Sequence, residues 1–182
     1  METEIIIAGF GGQGVLFFGQ ILAYAGMDQG FEVTWFPSYG PEMRGGTANC
    51  TVVIADEEIG APIVNHPRVV VAMNLPSLDK YEMSIQSHGT LVVNSSLVNR
   101  RVAREDIKVV EIPANELAEK LGDMRMANMV LMGGLLGNHP ILPVEAIEKA
   151  LKDHLPERHQ HLYTKNCEAI RVGVTYQGTH PA

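Results

Sequence analysis

The chain reads as a three-layer α/β domain spanning residues 1–182, with a mostly parallel sheet and a helical C-terminal third. Three observations predict this. Glu4 to Ala8 (EIIIA) is continuously apolar and β-branched, the pattern of a strand covered on both faces. It runs directly into a glycine-rich turn followed by an apolar segment of helix length. Further apolar runs follow, many ended by Gly, Asn, Ser or Pro, while the last third carries helical patterns.

Each element has its own justification. Gln13 to Gln29 is helical in length and apolar on nearly every side, with Gly30 as its stop. Phe31 to Phe36 (FEVTWF) is the next strand, ended by Pro37. The first 37 residues are therefore expected to form one β-α-β unit with parallel strands and a right-handed crossover. Thr47 to Ala55 alternates as a strand, and Asp56-Glu57-Glu58 forms its turn. Arg68 to Met73 is a buried strand, followed by a short helix from Leu78 to Ile85 capped by Ser77. Thr90 to Val93 and Ile107 to Ile112 continue the β series. Helices are expected at Asn115–Leu121, Arg125–Leu136 and Pro143–Leu155, with proline at a favourable first-turn position. A last amphipathic helix runs from Glu157 to Val172, and the final QGTHPA is expected to fray.

Composition narrows the function classes. The chain is 46% hydrophobic and 19% charged with a formal net charge of -7, and it has no lysine or arginine run. Nucleic acid or an anionic membrane is thereby disfavoured as a partner. The N-terminus has no basic n-region before an apolar stretch, and no apolar run approaches the roughly 18 residues that cross a bilayer. A cytoplasmic protein is expected. Cys50 and Cys167 form no CxxC pair, so both read as buried free thiols rather than cluster or zinc ligands.

Ligands of open α/β sheets bind beyond the carboxyl ends of the strands. Gly9, Gly11 and Gly14 fit GxGxxG with a strand before and a helix after, which makes the fold Rossmann-like. Such glycines permit a tight turn and close approach to backbone amides, and the helix start offers N–H groups to an anion. The same spacing also suits a bare strand-to-helix turn. A second loop, Ser38 to Gly46 (SYGPEMRGG), follows the next strand and carries Glu42 and Arg44. Arginine suits forked contacts with phosphate or carboxylate; a solvent-facing turn with a local ion pair is the alternative. The second strand ends in Trp35-Phe36-Pro37-Ser38, and its only acid, Glu32, lies at its start. A nicotinamide cofactor, which wants an acid near the strand end, is disfavoured. Asn74, Asn94-Ser95-Ser96 and Asn115 follow the later strands and suit turns or a pocket. Asn128 is a polar residue in an apolar helix, a satisfied core amide or a pocket donor. His154, His159 and His161 read as solvated helix-face residues. No nucleophile with a base is recognisable, so no catalytic residue is assigned.

GFGGQG, SYGPEMRGG and ANMVLMGGLL (Ala127 to Leu136) together resemble the gamma subunit of 2-oxoacid:ferredoxin oxidoreductases. The resemblance runs from Ile5 to about Gly173 and is strongest to the 2-oxoglutarate and branched-chain oxoacid types. The beta subunit of indolepyruvate oxidoreductase shares the domain. A stand-alone dinucleotide-binding protein and a purely structural α/β module are the alternatives from other classes. The resemblance implies a complex that decarboxylates a 2-oxoacid on thiamine diphosphate and magnesium, passes electrons through iron–sulfur clusters to ferredoxin, and forms an acyl-CoA. It implies that this chain binds none of these cofactors alone, since it lacks both cluster cysteines and the GDG…NN pattern of a thiamine site. The thiamine-binding and iron–sulfur subunits would be its partners, with ferredoxin reached through the complex. Carried over by motif, Gly9, Gly11, Gly12, Gln13 and Gly14, with Ser38, Tyr39, Glu42, Arg44, Gly45 and Gly46, would line the approach of coenzyme A. Met43 departs from the small residue common in relatives.

Overall fold

The computed structural model describes residues 2–38 and 47–176. Six strands form one sheet: β1 (Glu2–Phe10), β2 (Glu32–Ser38), β3 (Thr47–Ala55), β4 (Val69–Ala72), β5 (Thr90–Asn94) and β6 (Lys108–Ile112). Their order across the sheet is β2-β3-β1-β4-β5-β6. The pairs β1·β4, β4·β5 and β5·β6 are parallel, whereas β3 is antiparallel to both its neighbours. Five of the six strands thus point the same way.

The position of β2 differs from the expected β-α-β unit. β1 and β2 do run in the same direction, but β3 lies between them. The link from β2 to β3 is only residues 39–46, too short for the crossover that parallel neighbours need, so β3 must return antiparallel. Burial explains which strand takes the interior place. Val52, Val53, Ile54 and Ala55 of β3 are buried on both faces, whereas β2 exposes half of Phe36 and carries Pro37. A strand with a proline and an exposed face belongs at an edge.

Six α-helices cover the sheet unequally: α1 (Val15–Asp28), α2 (Leu75–Tyr81), α3 (Ala114–Lys120), α4 (Ala127–Asn138), α5 (Val144–His154) and α6 (Tyr163–Thr175). Ile5 and Ile7 of β1 face the larger core, with Phe18 and Leu22 of α1, Met129 of α4, Leu151 of α5 and Ile170 of α6. Ile6 and Ala8 point the other way, onto Leu78 and Ile85 near α2. Each fully buried side chain of this size contributes roughly 1.5–3 kcal/mol relative to exposure. Cys50 and Cys167 are free and buried, and burial pushes the Cys50 thiol up to about 12.

Several helix boundaries depart from the pattern reading for local reasons. α2 begins earlier than expected because Asn74, not Ser77, is its cap: Asn74 Oδ1 accepts from Ser77 N–H at 3.0 Å. The last helix is split into a 3₁₀ turn, Glu157–Leu162, and α6. His154 therefore closes α5, where it stacks on Tyr24 at 4.1 Å and lies 3.2 Å from Asp28 of α1. It is an exposed helix-face residue, as expected, that also makes a contact between helices.

Two features hold the periphery. α4 and α6 cross at glycines: a Cβ on Gly133 would lie 1.9 Å from Ile170 O, and one on Gly173 would lie 2.0 Å from Val130 O. The Glu82 carboxylate, 4% exposed, accepts from Arg100 Nη2 at 2.7 Å and from the Ala103 and Arg104 N–H groups. That carboxylate ties the segment after β5 down beside α2. The expected fraying of QGTHPA concerns residues outside those described. Among the described residues no helix is long and apolar enough to cross a membrane.

Candidate functional site

Strand register brings the two glycine-loop regions to one rim. Gly9 pairs with Ala48 and Phe10 with Thr47, while Ser38 pairs with Asn49. The carboxyl ends of β1 and β2 and the start of β3 are therefore side by side. Tyr39, Glu42, Arg44, Gly45 and Gly46 lie outside the described residues; Ser38 is exposed at the end of β2.

The first loop is shaped largely by the protein's own side chains. Gln13 N–H donates to Phe10 O at 3.1 Å, and Phe10 N–H donates to Gln13 Oε1 at 2.6 Å, so the turn closes on itself. Gln13 Oε1 also accepts from Asn74 Nδ2 at 3.0 Å. Gly9 is buried, and a Cβ there would meet Gln13 Oε1 at 2.7 Å. Gly12 and Gly14 take left-handed backbone, φ 93° and 76°, which side chains rarely adopt. Asn128 of α4 comes so near Gly14 that a Cβ would lie 2.3 Å from its Nδ2. Two of the three motif glycines thus serve internal packing, while Gly11 and Gly12 remain exposed. Gly14 stands at the amino end of α1, where no side chain caps the first-turn N–H groups.

Beside this loop lies a cleft of about 210 Å³, walled by Gly12, Gln13, Asn94, Asn115, Arg125 and Asn128. Asn94 organises its floor. Its Oδ1 accepts from Ala114 N–H at 3.2 Å, and its Nδ2 donates to Met73 O at 3.3 Å and Asn115 Oδ1 at 2.8 Å. Asn115 N–H in turn donates to Ser96 Oγ at 3.2 Å. Asn94 and Asn115 are therefore both turn formers and cleft builders, while Asn74 caps α2 and holds Gln13. Asn128, 7% exposed, donates from Nδ2 to Gly14 O over a long 3.4 Å and accepts Met129 N–H at Oδ1. It is partly a satisfied core amide and partly a wall of the cleft.

Arg125 is the cation of this site, and pattern reading did not single it out. Asp123 holds it in two places, with Nε at 2.9 Å and Nη2 at 2.7 Å. The Arg125 guanidinium pulls the Asp123 carboxyl down to about 2. The sequence signal was an Asp-x-Arg step after Gly122, yet nothing in it told that α3 would turn this step toward Gly12. Phe10 at the end of β1 and Leu97 just past β5 are exposed, and exposed Met124 lines the cleft. Among the described residues no three His, Cys, Asp or Glu side chains gather to hold a metal.

The fold and the cleft together define a Rossmann-like α/β domain that offers hydrogen-bonding groups at the carboxyl edge of its sheet. The chain belongs to the pyruvate ferredoxin/flavodoxin oxidoreductase family, matching it over residues 4–176. It is 40% identical over 156 residues to ketoisovalerate oxidoreductase subunit VorA of Methanothermobacter thermautotrophicus, covering 83% of this chain and 31% of that protein. This chain thus spans about a third of that relative's length. It is 38% identical over 180 residues to 2-oxoglutarate synthase subunit KorC of Methanothermobacter marburgensis, covering 95% of each. Its fold matches the gamma subunit of a keto/oxoacid ferredoxin oxidoreductase from Geobacter sulfurreducens with a TM-score of 0.81 at 27% identity, covering 96% of this chain and 95% of that one.

Proposed function

We propose that this chain is a gamma-type subunit of a 2-oxoacid:ferredoxin oxidoreductase, in which it forms part of the coenzyme A approach and binds partner subunits. The complete enzyme would oxidatively decarboxylate a 2-oxoacid and form an acyl-CoA, with electrons leaving to ferredoxin. The observation that carries this reading is the pairing of Gly9 and Phe10 with Ala48 and Thr47, beside the pairing of Ser38 with Asn49. That register supports one rim shared by both glycine loops, next to an amide-lined cleft. The names of the VorA and KorC relatives point to 2-oxoacids as the substrate class.

The residues present suit coenzyme A. Its phosphates match a helix amino end and an arginine, and its amide groups match Asn115 Nδ2 and Gln13 Nε2, which make no bond to the described residues. When bound, coenzyme A supplies the thiol that takes the acyl group. The residues do not suit an iron–sulfur cluster, because the two cysteines are buried apart, in β3 and α6. Thiamine diphosphate, magnesium and the clusters are accordingly assigned to partner chains. The stand-alone dinucleotide reading is weaker: Glu32, the acid of β2, sits at the start of that strand and Ser38 at its end.

Arg44→Ala in the reconstituted complex tests this. The expected outcome is at least about a tenfold rise in the apparent KM for coenzyme A, the worth of one charge-assisted bond, with the oxoacid KM unchanged. Small and equal effects on both substrates would refute a coenzyme A role.

A further inference from the structure

A second cavity lies on the other side of Arg125 and Asn128, which line both it and the strand-end cleft. Its volume is about 320 Å³, the size of a small-molecule site. Phe17 of α1, Met126, Leu155 and Leu162 make it mainly apolar. The polar groups on its wall, Arg125, Asn128, His159 and Asn166, differ in kind, which is how binding sites rather than packing faults are built.

Asn166 of α6 is the informative one. It lines this cavity and is only 3% exposed. Its Nδ2 donates to Leu162 O at 2.9 Å, and Oδ1 accepts from no described residue. Asn166 Oδ1 is not among the sealed, unpartnered polar atoms of the described residues, so it keeps contact with the cavity and is an acceptor open to a donor there. Arg125 supplies the opposite character. Its Nε and Nη2 are committed to Asp123, while Nη1 makes no bond to the described residues and the side chain is 76% exposed. A guanidinium held by one carboxylate is pre-oriented for a second.

We propose that this cavity binds an apolar α-amino acid. A branched or aromatic side chain would lie against Phe17, Leu155 and Leu162. The carboxylate would meet Arg125 Nη1 and the ammonium would donate to Asn166 Oδ1. The acceptor on Asn166 separates an amino acid from the 2-oxoacid of the same skeleton. That molecule has the same apolar body and carboxylate but no donor to offer. The site would therefore distinguish the transaminated form of an oxoacid from the oxoacid itself.

The test is titration of the full chain with L-leucine, L-phenylalanine and the 2-oxoacid that corresponds to leucine, followed by amide NMR and calorimetry. Saturable shifts centred on Phe17 and Asn166, complete below about 10 mM amino acid, are expected. The oxoacid should bind at least about tenfold more weakly, the usual worth of one added hydrogen bond. Asn166→Leu should erase that discrimination, and Leu162→Trp, which fills the cavity, should abolish binding of every probe. If the Asn166 variant does not fold, the Leu162 variant carries the test. No saturable binding, equal affinity for the oxoacid, or shifts confined to Gly12, Asn94 and Asn115 would each overturn the proposal. None of these assays contains coenzyme A or partner subunits, so their failure is distinguishable from failure of the function proposed above, although Arg125 borders both cavities.

Discussion

Gly173→Ala adds one methyl group where helix propensity and packing pull in opposite directions. Propensity favours the substitution by about 1 kcal/mol, because glycine is a poor residue inside a helix. Packing opposes it. The new Cβ would lie 2.0 Å from Val130 O and 2.8 Å from Gly134 N, both backbone atoms that cannot rotate away. Bringing the shorter contact to the 3.0 Å limit of real Cβ atoms requires α6 to retreat from α4 by about 1 Å. A gap of that order forfeits a quarter to a half of each dispersion contact it opens. Across Val130, Ala169 and Ile170, all buried at this crossing, the loss is about 3–4 kcal/mol. The net expectation is destabilisation by about 2–3 kcal/mol, or roughly 4–12 °C in Tm for a domain of this size. Urea unfolding followed by circular dichroism measures it. Gly133→Ala meets Ile170 O from the opposite side and forces the same separation, so the double variant should cost less than the sum of the singles. Stabilisation by either single variant would mean that propensity outweighs the helix crossing, and the reasoning fails.

Two further outcomes follow from the charged and titratable groups. Glu82→Gln should destabilise by about 2–3 kcal/mol, because a buried carboxylate loses charge-assisted bonds from Arg100 and two backbone amides; hydrogen exchange should accelerate at Ala103 and Arg104, and unchanged exchange there would contradict the latch. Burial, and then the charges of Arg68 and Lys108, hold His139 below its ordinary 6.5. The unfolded chain then binds the proton more readily, so the His139 contribution is intact above pH 6.5 and is lost as pH falls through the lower folded value. His139→Asn should flatten this acid-side slope in Tm against pH, and an unaltered profile would dismiss His139 as its source.

Much of the fold was legible in the chain because its signals are local. EIIIA, TANCTVVIA and RVVVAM are apolar enough to be interior strands wherever they pair, and Pro143 and Gly30 punctuate helices by their own backbone limits. The Gly9 to Gly14 turn was readable for the same reason. Pairing was less so: FEVTWF looks like a partner for β1 until the short link after Ser38 forces β3 between them. Asn74 took the cap of α2 from Ser77 because either residue type can accept a first-turn N–H, and only the chain's path decides where the first turn begins.

Sequence alone therefore settled which segments are strands and helices, where they turn, and that small and amide residues collect at the strand ends. Each of those is a property of a few neighbouring residues. Tertiary structure alone decided that Gly14 makes room for Asn128, that Gln13 closes its own loop and reaches Asn74, and that Arg125 stands across from Gly12. Those are contacts between residues up to 114 positions apart. Their geometry comes from how helices pack on the sheet, which no short stretch of chain encodes.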